Sequence, residues 1–305
     1  MKGENKMKYS QPVVKGERFT KMLPEGTALV LEGGGTRGFY SAGVLDAFMD
    51  ARIMFPYIIG VSAGSANALS YVSGQKGRNR TIVEKYVSNH RYVSRRNLIK
   101  HRSLFGYDFI FKTVPEKHLF WDQEMFEETD INFLTGAIDC ETGSTVWFEK
   151  KELGNDFLAT RASCSVPIGA KIVKHDGLKL LDGGISDPIP IEKSIADGNT
   201  FHVIILTQNQ GYLKTPFKQK RLLKFMYRKY PNLVEAILKR HEVYNRQLAL
   251  CENLEREKKA LIIRPLKPLS VDRTTRDIEK ILKLYDEGQI EGAQAIERLE
   301  EYINN

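Results

Sequence analysis

Gly60-Val-Ser-Ala-Gly64 sets a serine between two glycines at the Gly-x-Ser-x-Gly spacing, a sharp turn that lifts a serine oxygen clear of the backbone. Such an elbow needs a strand before it and a helix after it. Tyr57-Ile-Ile reads as the strand and Ala63 to Val72 as a small-residue helix. Ser62 is therefore a candidate nucleophile for acyl transfer, and a small-residue turn without chemistry is the alternative. A serine hydroxyl attacks only when a neighbouring base takes its proton. The six histidines are His90, His101, His118, His175, His202 and His241. The order Ser, acid, His would leave His202 and His241 after Asp182. His202 opens an apolar strand and His241 lies in a charged helix, so structural or solvated roles suit both better.

Leu180-Leu-Asp182-Gly-Gly184 ends an apolar strand in a carboxylate, followed by glycines that admit close backbone approach. On its own residues a plain turn aspartate is the simpler reading. Gly33-Gly-Gly-Thr-Arg-Gly38 falls between a strand and a helix, where unpaired N–H groups and the helix dipole favour negative charge. It also satisfies the dinucleotide pattern Gly-x-Gly-x-x-Gly. That use requires an acidic residue ending the second strand; here the strand ends in Gly60 to Gly64, and Asp50 lies before it. An oxyanion loop beside a nucleophile elbow accounts for both glycine clusters with one chemistry. No cofactor or metal is expected.

The elements that must position these residues follow from periodicity. Thr27 to Leu31 is a short buried strand feeding the glycine loop and a helix through Met49, and Tyr57 to Val72 repeats the pattern, which predicts a parallel sheet. Thr81 to Trp121 predicts broken helices and a flexible loop, with the aromatic stretch Leu104 to Phe111 as core, acyl pocket or lid. Ile131 to Asp139 and Ser144 to Lys150 flank a tight turn at Cys140 to Gly143. A helix over Asp156 to Ser163 precedes two short strands about His175 to Gly177 and a buried strand over Phe201 to Leu206. Beyond residue 211 come basic helices (about Phe217 to Tyr230 and Pro231 to Lys258), a strand at Ala260 to Ile263 and two terminal helices. The expected organisation is a polar segment 1–25, an α/β domain 26–210, and a basic helical region 211–305 whose strand 260–263 can complete the sheet.

The chain has 305 residues, 42% hydrophobic and 28% charged, which is globular composition and sufficient for one large α/β domain with an appendage. Cys140, Cys164 and Cys251 show neither zinc spacing nor a disulfide framework, pointing to a reducing compartment. The polar first 25 residues lack an apolar leader, and no later run is long enough to span a bilayer; the expectation is a cytoplasmic protein. The net charge of +8 suits nucleic acid, anionic lipid or solubility. No nucleic-acid-binding motif accompanies the basic segments, so no nucleic-acid partner is expected. Lys218 to Lys229 carries apolar positions Leu222, Phe225 and Met226, followed by Tyr230. They are expected to pack as a stripe on the domain under a solvated basic face, with peripheral contact to an anionic membrane as the other reading.

Taken together, Gly33 to Gly38, Gly60 to Gly64 and Asp182 to Gly184 resemble, in that order, the motifs of the patatin-like phospholipase family, and the resemblance runs from about residue 27 to 206. Arg161-Ala-Ser-Cys-Ser-Val-Pro167 matches a further segment that lies near the active site in relatives, and Asp187-Pro-Ile-Pro190 resembles a bacterial subgroup. The resemblance implies a three-layer α/β/α fold with a mainly parallel sheet and a helical C-terminal extension. It implies a serine acyl hydrolase acting on lipid or another acyl ester through a Ser62–Asp182 dyad without histidine. Gly33, Gly34, Gly35, Thr36, Arg37 and Gly38 would form the oxyanion loop, Gly60 and Gly64 the elbow, and Gly183 and Gly184 the dyad-segment glycines. An esterase or thioesterase of soluble acyl compounds would use the same residues, and a catalytically weak lipid-binding module is the reading from another class.

Overall fold

The computed structural model describes residues 9–304, so the first eight residues of the polar start lie outside it. The strands are β1 (Lys21–Met22), β2 (Thr27–Leu31), β3 (Ile53–Met54), β4 (Tyr57–Val61), β5 (Asn132–Asp139), β6 (Thr145–Glu149), β7 (Val173–His175), β8 (Leu178–Asp182), β9 (Phe201–Ile205) and β10 (Ala260–Ile263). The α-helices are α1 (Phe39–Asp50), α2 (Ala63–Val72), α3 (Arg78–Ile82), α4 (Arg95–His101), α5 (Gln123–Glu128), α6 (Leu158–Ser163), α7 (Ile191–Ala196), α8 (Lys220–Met226), α9 (Pro231–Arg256) and α10 (Ile278–Asn304).

The main sheet runs β10-β9-β2-β4-β5-β8-β7, with β6 also paired to β5. Pairings from β10 through β5 are parallel, and those of β6, β7 and β8 antiparallel. Strands β2, β4 and β10 are buried at every residue, the pattern of parallel strands covered on both faces. Alternation along β2 divides the core. Leu29 and Leu31 face α1 and α10 with Val44, Phe48, Tyr285 and Leu299, whereas Ala28 and Val30 face α7 and α9 with Ile191, Tyr244 and Leu248. These are the three α/β/α layers.

Two expectations need correction. The chain ends in one 27-residue helix, α10, and not two. Its Gly288 marks a close helix crossing, since a Cβ there would stand 2.1 Å from the Tyr40 carbonyl oxygen, and one on the opposing Gly43 of α1 would stand 2.0 Å from the Tyr285 oxygen. The basic helix is shorter than expected and rotated. Leu223 and the following Tyr227 are buried, while Leu222, Phe225 and Met226 are 45%, 69% and 46% exposed. Tyr227 fixes that rotation, because its hydroxyl accepts the Ile168 N–H at 2.8 Å. Over the aromatic stretch, residues 102–106 are non-helical, Phe109 begins a π-helical segment running to His118, and Phe109 and Phe111 are buried.

Candidate active site

The loops after β2, β4 and β9 meet at the carboxyl ends of the parallel strands, on the two sides of β2 where the chain order reverses, the usual place for a ligand crevice in an open α/β sheet. Register brings in the acidic segment. Val61 pairs with Gly136 on β5, and neighbouring Ala137 pairs with Asp182 at the end of β8. Asp182 therefore stops two strands away from the elbow, within side-chain reach of it.

Ser62 sits at φ 53°, ψ −128°, outside the regions that residues with a Cβ prefer, a conformation that costs on the order of 1–3 kcal/mol and is held only because the surroundings enforce it. The enforcing contacts are visible. The Ser62 N–H donates to Ser163 Oγ at 2.7 Å, and Ser163 Oγ donates to the Gly136 carbonyl at 2.5 Å. The Ser62 hydroxyl donates to Asp182 Oδ2 at 2.8 Å, and Asp182 Oδ1 accepts the Gly184 N–H at 2.8 Å. Both side chains are shielded, Ser62 at 7% and Asp182 at 6% exposure. Burial raises the Asp182 carboxyl above its ordinary range, opposed by the Ser62 hydroxyl, Arg240, the Gly184 N–H and Arg273, all of which favour the anion.

The glycine loop serves three spaces. Gly33, Gly34 and Gly35 line the pocket that holds Ser62 and Asp182; Thr36 and Gly38 border an apolar slot of about 90 Å³ on one side of Ser62; Arg37 faces a separate cavity. Gly35 has φ +57°, and a Cβ there would lie 2.6 Å from the Arg273 carbonyl oxygen. That same oxygen takes the Thr36 N–H at 3.0 Å and its hydroxyl at 3.1 Å. Among the described residues, neither Gly34 nor Gly35 spends its N–H on a protein acceptor. Gly60 lies near the end of β4, Gly64 in the first turn of α2, and Gly183 and Gly184 in the turn after β8, against Gly136 and Asp182 respectively. The apolar slot is walled by Phe105, Tyr107, Ile110 and Phe111 of the aromatic stretch, with Tyr92.

Neither of the histidines that follow Asp182 bonds to this pair. His202 is 1% exposed, its Nδ1 is 3.1 Å from Ser194 Oγ, and burial lowers its pKa to about 4. His241 Nδ1 lies 3.0 Å from the Leu238 carbonyl. The side chain of His101 lies outside the described residues. Among the described residues, no group of three or more His, Cys, Asp and Glu side chains is placed to hold a metal ion.

Three groups that the sequence reading did not single out border the pair. Ser163, within the Arg161 to Pro167 segment, pins the elbow through its hydrogen bond with the Ser62 N–H. Arg240 of α9 donates through Nε to the Gly184 carbonyl and lines the Ser62 pocket with Arg273. Only the generally basic character of the C-terminal region pointed toward them. The first 210 residues thus supply Ser62 and Asp182, and the last 95 supply the cations beside them.

An α/β/α protein with a strained serine on a strand-to-helix elbow, bonded to a buried aspartate beside a glycine loop, is the class this fold and site define. The model of the patatin-like phospholipase family matches residues 29–195, more than half of the sequence, and the chain belongs to that family. Residues 230–304 match a second model, described as a domain of unknown function, DUF6363. Among curated proteins the chain is similar to the uncharacterised protein YjjU of Escherichia coli, 28% identical over 67% of this chain and 58% of that protein. It is also similar to the uncharacterised NTE family protein Rv1063c of Mycobacterium tuberculosis, 28% identical over 54% of this chain and 44% of that one. The chain thus spans about half the length of these relatives. Among solved structures, VipD from Legionella pneumophila aligns over 96% of this chain and 72% of its own, at 13% identity and a TM-score of 0.45.

Proposed function

We propose that the protein is a serine acyl hydrolase of lipid esters in which Ser62 is the nucleophile and Asp182 its base. The observation that carries this reading is the 2.8 Å hydrogen bond from the Ser62 hydroxyl to Asp182 Oδ2 on a serine held in a strained elbow. In the reaction Ser62 Oγ attacks the ester carbonyl while Asp182 takes its proton, and the N–H groups of Gly34 and Gly35 receive the developing oxyanion. Asp182 returns the proton to the leaving alcohol, and water then releases the acyl group by the reverse sequence. An ordinary aspartate is a weak base for an alcohol, so the raised carboxyl and the oxyanion donors share the work. The aromatic slot supports an acyl chain as the group bound beside Ser62.

Hydrolysis of a chromogenic medium-chain acyl ester tests the reading. Ser62→Ala and Asp182→Asn, each checked for folding, are expected to lose activity by about 10⁴-fold or more. Retained activity in Ser62→Ala would end it.

A second reading concerns location and not chemistry. No described helix is long and apolar enough to cross a membrane. Exposed Leu222, Phe225 and Met226 share α8 with Lys220, Arg221 and Lys224, an amphipathic basic face suited to an anionic lipid surface.

A further inference from the structure

Beside the Ser62 pocket lies a cavity of about 440 Å³ bordered by Arg37, Lys214, Lys218, Arg240, His241 and Arg273. Val166, Ile185, Arg240 and Arg273 border both spaces, so the two are neighbours across a shared wall. Four of these cations are half-buried and should draw carboxylates, yet among the described residues Arg37, Lys214, Arg240 and Arg273 enter no salt bridge. Nearby Arg246 and Arg264 do, with Glu192 and Glu252. Arg37 Nε is buried without a hydrogen-bond partner, Arg240 Nε is spent on the Gly184 carbonyl, and Lys214 Nζ stands over the Tyr244 ring. Two carboxylates face the cluster, Glu32 and Asp182, and both are buried and engaged elsewhere, by the Thr207 N–H and by Ser62 and Gly184. Burial, then Arg240 and Arg273, push the Lys214 ammonium down to about 7, although Glu32 pulls the other way.

We propose that this cavity is the binding site for a phosphate group, and that the C-terminal region thereby selects acyl esters with an anionic phosphate head over uncharged ones. The assignment rests on Ser62 being the acylated residue. The geometry of the substrate follows: the acyl chain in the aromatic slot, the ester carbonyl at Ser62, the phosphate among Lys214, Arg273 and Arg37. Fixed guanidinium and ammonium donors that lack internal partners are the chemistry that recognises phosphate oxygens. A cavity of this size exceeds the needs of a bare ion and leaves room for the rest of a head group.

The test has two readouts on the full chain. First, kcat/KM is compared for monomeric dihexanoyl phosphatidic acid and dihexanoylglycerol in the native protein, Lys214→Met, Arg273→Met and Lys214→Arg. Second, inorganic phosphate is titrated calorimetrically into Ser62→Ala protein with and without Lys214→Met. The native protein is expected to prefer the phosphatidic acid, with a preference that falls with salt. Lys214→Met and Arg273→Met should each cut the preference about tenfold to 100-fold, as loss of one charge-assisted hydrogen bond implies, and Lys214→Arg should restore most of it. Phosphate should bind Ser62→Ala and weaken when Lys214 is replaced. A native preference absent, or unchanged by all three variants and by salt, together with no phosphate binding overturns the site. Phosphate binding that depends on Lys214, with a preference that does not, assigns the cavity to free phosphate and overturns the head-group role. Phosphate binding in a protein that hydrolyses neither ester keeps the anion site and removes the acyl hydrolase reading instead.

Discussion

Arg240 is placed to set the pH at which Asp182 ionises, and so, in the proposed mechanism, the pH at which it can take the Ser62 proton. A Cβ built on Gly184 would stand 3.0 Å from Asp182 Oδ1 and 3.7 Å from Arg240 Nη2, so the two charged groups are at most about 7 Å apart. At that separation the attraction is about 2.4 kcal/mol at an effective dielectric constant of about 20 and about 0.6 kcal/mol at about 80. A half-buried guanidinium belongs between these limits. In the proposed mechanism Asp182 takes a proton only when ionised, and Arg240 stabilises the ion; Arg240→Met should therefore raise the Asp182 pKa and move the acid limb of kcat/KM to higher pH, by about 0.4 to 1.7 pH units. The profile is measured between about pH 4 and 9 on an uncharged chromogenic ester, so that binding in the cationic cavity plays no part. Arg240→Lys, which keeps the charge, should leave the limb close to its native position. An acid limb in Arg240→Met that stays in place or moves to lower pH would refute the coupling, and a limb that moves equally in Arg240→Lys would trace it to the lost bond with the Gly184 carbonyl.

Gly35→Ala places a Cβ against the Arg273 carbonyl at a positive φ and should displace the loop donors, lowering kcat by about 100-fold to 1000-fold with a smaller change in KM, read from steady-state kinetics. Gly43→Val should separate α1 from α10 and destabilise the fold by about 1–3 kcal/mol or more, read as a lower urea midpoint, because the added side chain meets the Tyr285 backbone oxygen and no mobile side chain. Replacing Lys218, Lys220, Arg221 and Lys224 with glutamate should abolish co-sedimentation with anionic vesicles, and binding that persists would remove the membrane reading of α8.

Much of the fold was legible because it is written in local pattern. Ala28 to Leu31 and Ala260 to Ile263 are unbroken apolar runs that a sheet covered on both faces buries, and the span of α2 follows from its small residues and its glycine elbow. The pairing of Ser62 with Asp182 was not local. On its own segment Asp182 reads as a turn residue, and what brings it to Ser62 is the register Val61–Gly136 and Ala137–Asp182 across β5. The rotation of α8 is not legible locally for a related reason, since two candidate apolar stripes exist on that helix and the bond from Ile168 to Tyr227 chooses between them.

The C-terminal region was the least legible part, and the structure explains why. Arg240 and Arg273 are 33 residues apart in sequence, one on a helix and one in the loop that follows β10, and neither sits in a motif. They converge because β10 extends the sheet beyond β9, which carries the chain back past the carboxyl ends of the strands, where the backbone of Arg273 takes Thr36 as its partner. The glycine loop is thus braced by a segment more than 230 residues away. In the proposed mechanism, a region that braces the glycine loop and lends positive charge to Asp182 acts on the chemistry at two points without supplying Ser62 or Asp182. Its removal is accordingly expected to impair the site even where the strands of the N-terminal part still pair.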